Sequence, residues 1–246
     1  MKILGVIPAR YASTRFPGKP LALINGKSMI RRVFEQASCC SLLNEVIIAT
    51  DDERIQDHVR SFGGNVMMTS PDHESGTERC CEVALKTGGD FDVVINIQGD
   101  EPFIDPRQIA QVADRFIQRE VQIATLVKRM ILSTDIENPN VVKVVFDKDM
   151  KAICFSRSPI PYFRGKPVAA WTENYNYYGH VGIYGYRTNV LKELVKLPVC
   201  TLEKAESLEQ LRWMWHGFPI HVSETDFESI AIDSPADLLK ITNISG

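Results

Sequence analysis

The sequence lacks the features that mark several large classes of protein. No run of residues approaches the roughly 18–20 apolar positions that a membrane-spanning helix needs. The formal net charge is only −3 over 246 residues, so there is no overall basic field to attract duplex nucleic acid or an anionic membrane. Lys2 is followed by a short apolar run that Arg10 interrupts, which does not fit a secretory signal peptide. We therefore expect a cytoplasmic protein whose ligands are small anions.

The sequence also lacks the common phosphate-loop and cysteine motifs. Neither the G-x-x-x-x-G-K-[ST] pattern of Walker A loops nor the G-x-G-x-x-G pattern of dinucleotide-binding loops occurs. The six cysteines include two adjacent pairs but no C-x-x-C spacing, which argues against a zinc site or a redox dithiol. Reduced thiols are the default state in the cytoplasm, so we expect free cysteines.

The first half of the chain contains alternating strand-like and helix-like segments. Its composition, 44% hydrophobic and 24% charged, is ordinary for a globular protein. The order of β and α segments predicts an α/β fold with a mostly parallel, doubly wound sheet in one domain over 1–246. Strands are predicted at 3–7, 46–50, 66–68 and 93–97, and helices from about 28 and at 51–62, 77–86 and 106–119.

The second half is richer in strand-like segments. The polar and aromatic stretch 156–178 reads as a loop, and a loop of that length is usually functional or part of an interface. We interpret about 123–186 as a β-rich extension of the same domain. Strands are predicted at 123–128, 141–146, 152–155, 178–186, 220–222 and 229–232, helices at 188–196 and 202–215, and a helix start at the Ser234–Asp237 capping box.

Three cations lie in a loop of small residues directly after the first predicted strand. They are Arg10, Arg15 and Lys19, and Ser13 adds a hydroxyl group. Open α/β sheets bind ligands at the carboxyl ends of their strands, where backbone N–H groups and cations hold anions. The loop therefore predicts a triphosphate site, although loop cations in many proteins are simply solvated.

Two carboxylates follow other predicted strands. Asp100 comes after the strand at 93–97, and Asp233 precedes the capping residue Ser234. Carboxylate oxygens suit Mg²⁺, which usually binds together with substrate phosphates. The alternatives are a solvated turn for Asp100 and a capping role for Asp233. The loop before the helix at 77–86 similarly predicts either a nucleotide-base pocket or a helix cap.

Several polar residues of the second half could bind sugar hydroxyl groups or a substrate carboxylate. Glu206, Glu209 and Gln210 are spaced to share one face of the predicted helix at 202–215. His180 and Tyr184 share one face of a predicted strand that contains glycines. Arg157 could pair with a carboxylate. The alternatives are that Glu206, Glu209 and Gln210 form a solvated helix face, that His180 is structural, and that Arg157 lies on the surface.

Together these motifs resemble the 3-deoxy-manno-octulosonate cytidylyltransferases, also called CMP-Kdo synthetases. The first-strand loop marks the wider group of sugar-activating nucleotidyltransferases, whereas GHVGIYGY and LEQLR are more specific. The region 157–178 departs most from the family pattern. The matching segments are PARYASTRFPGKPL at 8–21, ATDD at 49–52, DHESGTER at 72–79, NIQGDEP at 96–102, NPNVVKVV at 138–145, FSRSPIP at 155–161, GHVGIYGY at 179–186, LEQLR at 208–212 and IDSPADL at 232–238.

The resemblance implies a nucleotide-diphospho-sugar-transferase-like fold, a homodimer that uses the β-rich extension, and Mg²⁺ as cofactor. It implies the reaction CTP + Kdo → CMP-Kdo + diphosphate, which supplies lipopolysaccharide synthesis. It assigns catalysis to Arg15, Lys19, Asp100 and Asp233, the last two as metal ligands. The implied nucleotide contacts are Ala9, Arg10, Ser13, Arg15, Lys19, Ser75, Gly76 and Gln98. The implied sugar contacts are Gln98, Arg157, His180, Tyr184, Glu206, Glu209 and Gln210.

Two other functions fit the same residues. A cytidylyltransferase for a related sugar acid, such as 8-amino-Kdo or sialic acid, would use the same triphosphate loop. A non-catalytic nucleotide-binding protein could keep the fold, but it would not need Lys19, Asp100 and Asp233, all of which are present.

Overall fold

The centre of the molecule is a mixed sheet with an all-parallel half and a half that contains both antiparallel and parallel strand pairs. The computed structural model describes residues 1–12, 16–88, 90–228, 231–232 and 234–238. The strand order is β11-β7-β10-β6-β1-β4-β5, with β8 beside β10 and β9 beside β8. The strands are β1 Ile3–Ala9, β2 Leu23–Ile24, β3 Lys27–Ser28, β4 Glu45–Thr50, β5 Val66–Met68, β6 Val93–Asn96, β7 Ile123–Met130, β8 Lys143–Phe146, β9 Ala152–Ser156, β10 Tyr177–Arg187 and β11 Ile220–Glu224.

The parallel half consists of β6, β1, β4 and β5, whereas β10 runs antiparallel to both β6 and β7. None of the helices in the described ranges is long and apolar enough to cross a membrane. The helices are α1 Met29–Ser38, α2 Glu53–Ser61, α3 Gly76–Lys86, α4 Pro106–Arg115, α5 Ser133–Glu137, α6 Trp171–Asn174, α7 Thr188–Leu194, α8 Thr201–Glu206 and α9 Gln210–Trp215, with 3₁₀ turns at Lys19–Leu21 and Val168–Ala170.

Helices cover both faces of the sheet, as the doubly wound prediction requires. Strands such as β6 are buried at every position, because a parallel strand between two helical layers needs apolar residues on both faces. One core cluster contains residues of α1, α2 and α4, and the other contains residues of α3, α7 and α9. The predicted α/β fold with a mostly parallel sheet is confirmed.

The predicted helix at 202–215 is wrong, because the chain forms two shorter helices there. α8 ends at Glu206, and Ser207 takes a left-handed conformation with φ of 52° before α9 begins at Gln210. A single helical face shared by Glu206, Glu209 and Gln210 therefore does not exist. The amphipathic spacing suggested continuity, but the hydrogen bonds that hold the break come from residues distant in sequence.

Three other segments differ from the sequence prediction. The helix predicted at 106–119 ends at Arg115. The stretch 156–178 contains a 3₁₀ turn and α6, because Trp171 buries its ring against Tyr177. Of the predicted strand 229–232, residues 231–232 are not in a strand, and 229–230 lie outside the described residues. The Ser234–Asp237 capping box is present, with the Asp237 backbone N–H donating to Ser234 Oγ at 3.3 Å and the Ser234 backbone N–H donating to Asp237 Oδ2 at 3.0 Å.

Candidate active site

The carboxyl ends of β1, β4 and β6 lie side by side and form one edge of the sheet. Ala9 pairs with Thr50, and β6 lies on the other side of β1. The turn after β6 crosses this edge closely, since a Cβ atom on Gly99 would lie 2.6 Å from the carbonyl oxygen of Pro8. Glycine is therefore required at 99, and it brings Gln98 and Asp100 against the loop that leaves β1.

Lys19 and Asp100 meet at this edge. The Lys19 ammonium donates to Asp100 Oδ2 at 2.8 Å, and the two side chains are 16% and 28% exposed. Gly18 adopts φ of 70°, and the ring of Tyr11 packs against it, so a left-handed glycine turns the loop back toward Asp100. The Arg10 side chain is half-buried and makes no ion pair within the described ranges. Ser13 and Arg15 lie outside the described residues.

A second segment reaches Asp100 from the C-terminal part of the chain. The backbone N–H of Ile232 donates to the carbonyl oxygen of Asp100 at 3.0 Å. Asp233, which follows Ile232, lies outside the described residues. No cluster of three or more His, Cys, Asp or Glu residues with metal-binding geometry occurs among the described residues. Mg²⁺ commonly uses only one or two carboxylates with phosphates and water, so the chemistry of the Asp100 edge fits this ion.

The start of α3 lies at the end of this edge where the nucleotide is predicted to bind. Ser75 caps the helix in a reciprocal capping box with Glu78. Gly76 lies against the ends of β1 and β6, since a Cβ atom there would lie 3.4 Å from both Pro8 Cγ and Asn96 Nδ2. The capped helix start therefore presents backbone N–H groups beside Pro8, where an anionic or polar ligand could bind.

A buried arginine anchors this loop from behind. Arg79 is fully buried and donates to Asp51 Oδ2 at 2.5 Å and to Thr69 Oγ1 at 2.7 Å. It also donates to the carbonyl oxygen of Ser70. The pairing ties the end of β4 to the segment that leads into α3.

On the other side of β6, β10 supplies a wall of rings. The pairing of β10 with β7 is irregular between Val181 and Tyr184. His180 lies 5.1 Å from the Tyr184 ring and contacts Thr125 Oγ1 through Nε2 at 2.9 Å. Burial lowers the pKa of His180 from 6.5 to about 4, so the imidazole is neutral at physiological pH.

The irregular segment of β10 is also the place where the two sides approach each other. Gly182 lies beside Gln98, since a Cβ atom at 182 would be 3.7 Å from Gln98 Cγ. Glu101 Oε1 lies 3.8 Å from the same point. Gln98 therefore faces both the nucleotide edge and the β10 wall.

Several buried polar atoms behind this wall have no hydrogen-bond partner in the described part of the chain. They include the hydroxyl groups of Tyr184 and Tyr186 and Asn96 Oδ1. Burial raises the pKa of both phenols and the charge of Glu209 raises it further, while the hydroxyl groups of Thr125, near Tyr184, and Thr77, near Tyr186, lower it. Because buried polar groups in native proteins normally have partners, the two threonine hydroxyl groups are the nearest partners for the phenols, and Asn96 Oδ1 is left for a polar ligand or water.

Glu209 lies next to this group of unpaired atoms. Its carboxylate accepts a hydrogen bond from Thr77 Oγ1 at 2.8 Å. Burial raises the pKa of Glu209 above its ordinary value of 4.5, and hydrogen bonds from Thr77 and Ser75 offset part of the shift. Gln210, the next residue, is buried at the start of α9. Thr77 thus links the nucleotide loop to the carboxylate of the opposite side.

Arg157 and Glu206 form a separate cluster at the end of β9. The Arg157 guanidinium donates to the backbone carbonyl oxygens of Glu206 at 2.7 Å and Pro139 at 3.0 Å. The Glu206 carboxylate accepts from the Arg157 backbone N–H at 2.9 Å and from Ser156 Oγ at 2.6 Å. The structure therefore joins Arg157 to Glu206, while Glu209 and Gln210 lie beyond the break between α8 and α9.

Sequence reasoning did not identify Arg79, Thr77 or Lys143 as residues that organise the site. Lys143 is fully buried within the apolar run 141–145. A charge inside such a run is the one signal that could have marked it, because lysine is almost never fully buried without partners.

The chain is similar to known proteins over almost its whole length. A family model described as Cytidylyltransferase matches residues 4–228. The chain is 54% identical over 241 residues to the 3-deoxy-manno-octulosonate cytidylyltransferase of Bacteroides thetaiotaomicron, covering 97% of this chain and 96% of the relative. It is 46% identical over 246 residues to the Cytophaga hutchinsonii enzyme of that name, covering 100% and 98%.

One solved structure is similar over the whole chain. It is a CMP:2-keto-3-deoxy-manno-octonic acid synthetase complexed with CTP, with a TM-score of 0.92 and 42% sequence identity. The match covers 100% of this chain and 98% of that one.

Proposed function

Because the chain belongs to the cytidylyltransferase family, we propose that it activates a sugar acid for lipopolysaccharide synthesis in the cytoplasm. The substrates are CTP and 3-deoxy-D-manno-octulosonate, and the products are CMP-Kdo and diphosphate. Relatives that are about half identical to this chain over nearly their whole length are 3-deoxy-manno-octulosonate cytidylyltransferases. The similar solved structure is a CTP complex of the synthetase for this sugar acid.

The main structural support for the proposal is that two chemically different groups of side chains lie on either side of Gln98. On one side, the ion pair of Lys19 and Asp100 offers a cation and a carboxylate for a metal–triphosphate. On the other side, Gly182 lies beside Gln98, next to the rings of His180 and Tyr184 on β10. This arrangement suits a triphosphate on one side and a polyhydroxylated acid on the other.

The proposed reaction is a direct in-line displacement. The anomeric 2-hydroxyl of the sugar acid attacks the α-phosphorus of CTP, and the bond to the diphosphate breaks. Lys19 and Arg15 neutralise the charge of the leaving diphosphate, and Arg10, Ser13 and Ala9 hold the triphosphate. Ser75 and Gly76 contact the nucleotide from the start of α3. The rate enhancement then comes from positioning and charge neutralisation, without a covalent enzyme intermediate.

Asp100 and Asp233 would hold the proposed Mg²⁺. When bound, the ion supplies charge neutralisation for phosphate oxygens and lowers the pKa of a coordinated hydroxyl group. The contact between Ile232 and Asp100 supports the pair, because it brings the segment before Asp233 to the same edge.

The sugar acid would contact Gln98, His180, Tyr184, Glu209 and Gln210, with Arg157 and Glu206 at its outer end. Neutral His180 and the Tyr184 hydroxyl group suit hydrogen bonding to sugar hydroxyl groups. We also propose a homodimer that uses the β-rich extension at about 123–186.

The test is diphosphate release from CTP with a panel of sugar acids. We expect turnover with Kdo, and a higher kcat/KM for Kdo than for 8-amino-Kdo or sialic acid. A preference for one of those acids would reassign the substrate. Tight CTP binding without turnover of any of them would favour the non-catalytic function.

A further inference from the structure

The ammonium group of Lys143 is buried among backbone carbonyl oxygens. It donates to the carbonyls of Asn138 at 2.8 Å, Val141 at 2.7 Å and Arg157 at 2.5 Å. The side chain has no exposed surface. All three donors of the ammonium are therefore satisfied, and they join two segments that are separate in the chain.

No carboxylate forms an ion pair with Lys143 among the described residues. Burial lowers the pKa of its ammonium, Glu206 raises it by its charge, and Arg157 lowers it. A buried charge without a paired carboxylate is costly, and the run 141–145 could hold an apolar residue at this strand position. A purely structural strand residue at 143 would therefore be expected to be apolar, like its neighbours.

Lys143 lies where three of the proposed sugar-acid residues are anchored. In the sheet it pairs with Ser156 on one side and Gly179 on the other. Ser156 donates to the carboxylate of Glu206. The residue before Lys143, Val142, accepts a hydrogen bond from the backbone N–H of His180 at 2.8 Å.

The Arg157 backbone is held from both sides. Its carbonyl accepts from Lys143, and its N–H donates to Glu206. Its guanidinium in turn holds the carbonyl of Glu206, the last residue of α8. The Lys143 ammonium thus fixes one end of a chain of contacts that runs to the break between α8 and α9, directly before Glu209.

We propose that Lys143 is a positioning residue for the sugar-acid side of the active site. It sets the relative placement of Arg157, Glu206 and His180 without itself contacting substrate. This role rests on the proposed function, because it presumes that these three residues bind the sugar acid. The free-energy cost of burying the Lys143 charge is then offset by the alignment of the residues that bind the sugar acid.

The test is Lys143→Met in the full chain, which keeps the length of the side chain and removes the ammonium. We expect the KM for Kdo to rise between about tenfold and a hundredfold, as misplacement of binding groups does. The KM for CTP should change less than about twofold, because the nucleotide side has separate anchors. Val59→Ala is the matched control, since Val59 is fully buried in α2 and its truncation lowers stability without touching this network.

Lys143→Gln provides a gentler variant, because its amide keeps two N–H donors and loses the charge. We expect its KM for Kdo to lie between those of the wild type and Lys143→Met. Unchanged KM values with a lowered melting temperature would overturn the proposal, and so would an equal rise for both substrates. Failure of both variants to fold would show that Lys143 serves the fold alone, which also overturns it.

Wild-type turnover is measured first in the same assay. If wild-type protein does not convert CTP and Kdo, the proposed function fails. If it does, and the ratio of the two KM values stays constant in both Lys143 variants, only the positioning role fails.

Discussion

Two buried cations stabilise the two sides of the active site in different ways. Arg79, on the nucleotide side, is paired with the carboxylate of Asp51. Lys143, on the sugar-acid side, is surrounded by backbone carbonyls. Arg79 joins successive βα units of the parallel sheet, with its partner Asp51 lying 28 residues away, whereas Lys143 joins the two ends of the β8–β9 hairpin, with Arg157 lying 14 residues away.

The difference indicates how each side is specified. The strand ends, glycines and helix caps of the nucleotide side each have a local sequence signal, although its Lys19–Asp100 pair joins residues 81 positions apart. On the sugar-acid side, the break between α8 and α9 has no such signal and is held by Arg157, 49 residues before Glu206, so we expect this side to be more easily disturbed and more readily altered for a new substrate.

The largest expected effect is that of Asp100→Ala, which removes a group on which the proposed reaction depends. We expect kcat to fall by at least about a hundredfold to a thousandfold, the range for loss of a major electrostatic contributor. Diphosphate release at saturating CTP, Kdo and Mg²⁺ measures the effect, with Asp100→Asn as the isosteric control. Full activity in Asp100→Ala would remove Asp100 from the reaction.

Asp51→Asn tests the nucleotide side by leaving Arg79 buried without its carboxylate. Breaking such a pair destabilises a protein by about 3 kcal/mol, and we expect a lower melting temperature. The KM for CTP should rise and the KM for Kdo should stay near the wild-type value, the reverse of the Lys143→Met pattern. An effect on Kdo alone would contradict the separation of the two sides.

His180 gives a pH-dependent prediction for the sugar-acid side. Its pKa is about 4 in the folded state and near 6.5 when unfolded, so the unfolded chain binds the proton first as the pH falls. The stability that neutral His180 contributes is therefore present above pH 6.5 and is lost as the pH falls toward 4. An NMR titration of the imidazole should show a neutral ring at pH 5.5, and His180→Gln should lose less stability than wild type over that range. A charged ring at pH 5.5 would contradict the buried placement.

The smallest expected effect is that of Ser207→Gly at the break between α8 and α9. Ser207 has φ of 52°, a conformation that glycine adopts without steric cost. The left-handed backbone costs about 1–2 kcal/mol, and the greater entropy of glycine in the unfolded chain offsets part of the relief, so we expect a gain of about 0.5–1 kcal/mol in the free energy of unfolding. Urea denaturation measures the change, with Ser207→Ala close to the wild type. Destabilisation by glycine would mean that the Ser207 side chain itself maintains the break.

The parallel half of the fold could be predicted closely because each strand and helix has its own local signal. Apolar runs in the sequence indicate β1, β4 and β6. Ser75 and Asp105 are N-cap residues of α3 and α4, and serine and aspartate favour that position. Gly99 could be placed in a turn, although its close approach to Pro8 depends on the neighbouring strand.

For the sugar-acid side, the sequence could predict a set of candidate residues but not how they are arranged. The spacing of Glu206, Glu209 and Gln210 suggested one helical face, but Ser207 interrupts the helix because Arg157 binds the carbonyls of Glu206 and Ser207. Lys143 was passed over because its partners are carbonyl groups, which every residue possesses and no sequence pattern reveals.

The most direct test of simultaneous occupation of both sides is the initial rate of diphosphate release with CTP and Kdo varied together. Direct attack of the sugar acid on CTP requires both substrates to be bound at once, so double-reciprocal plots should give lines that intersect. Parallel lines would indicate a ping-pong reaction through a covalent intermediate and would contradict the proposed displacement.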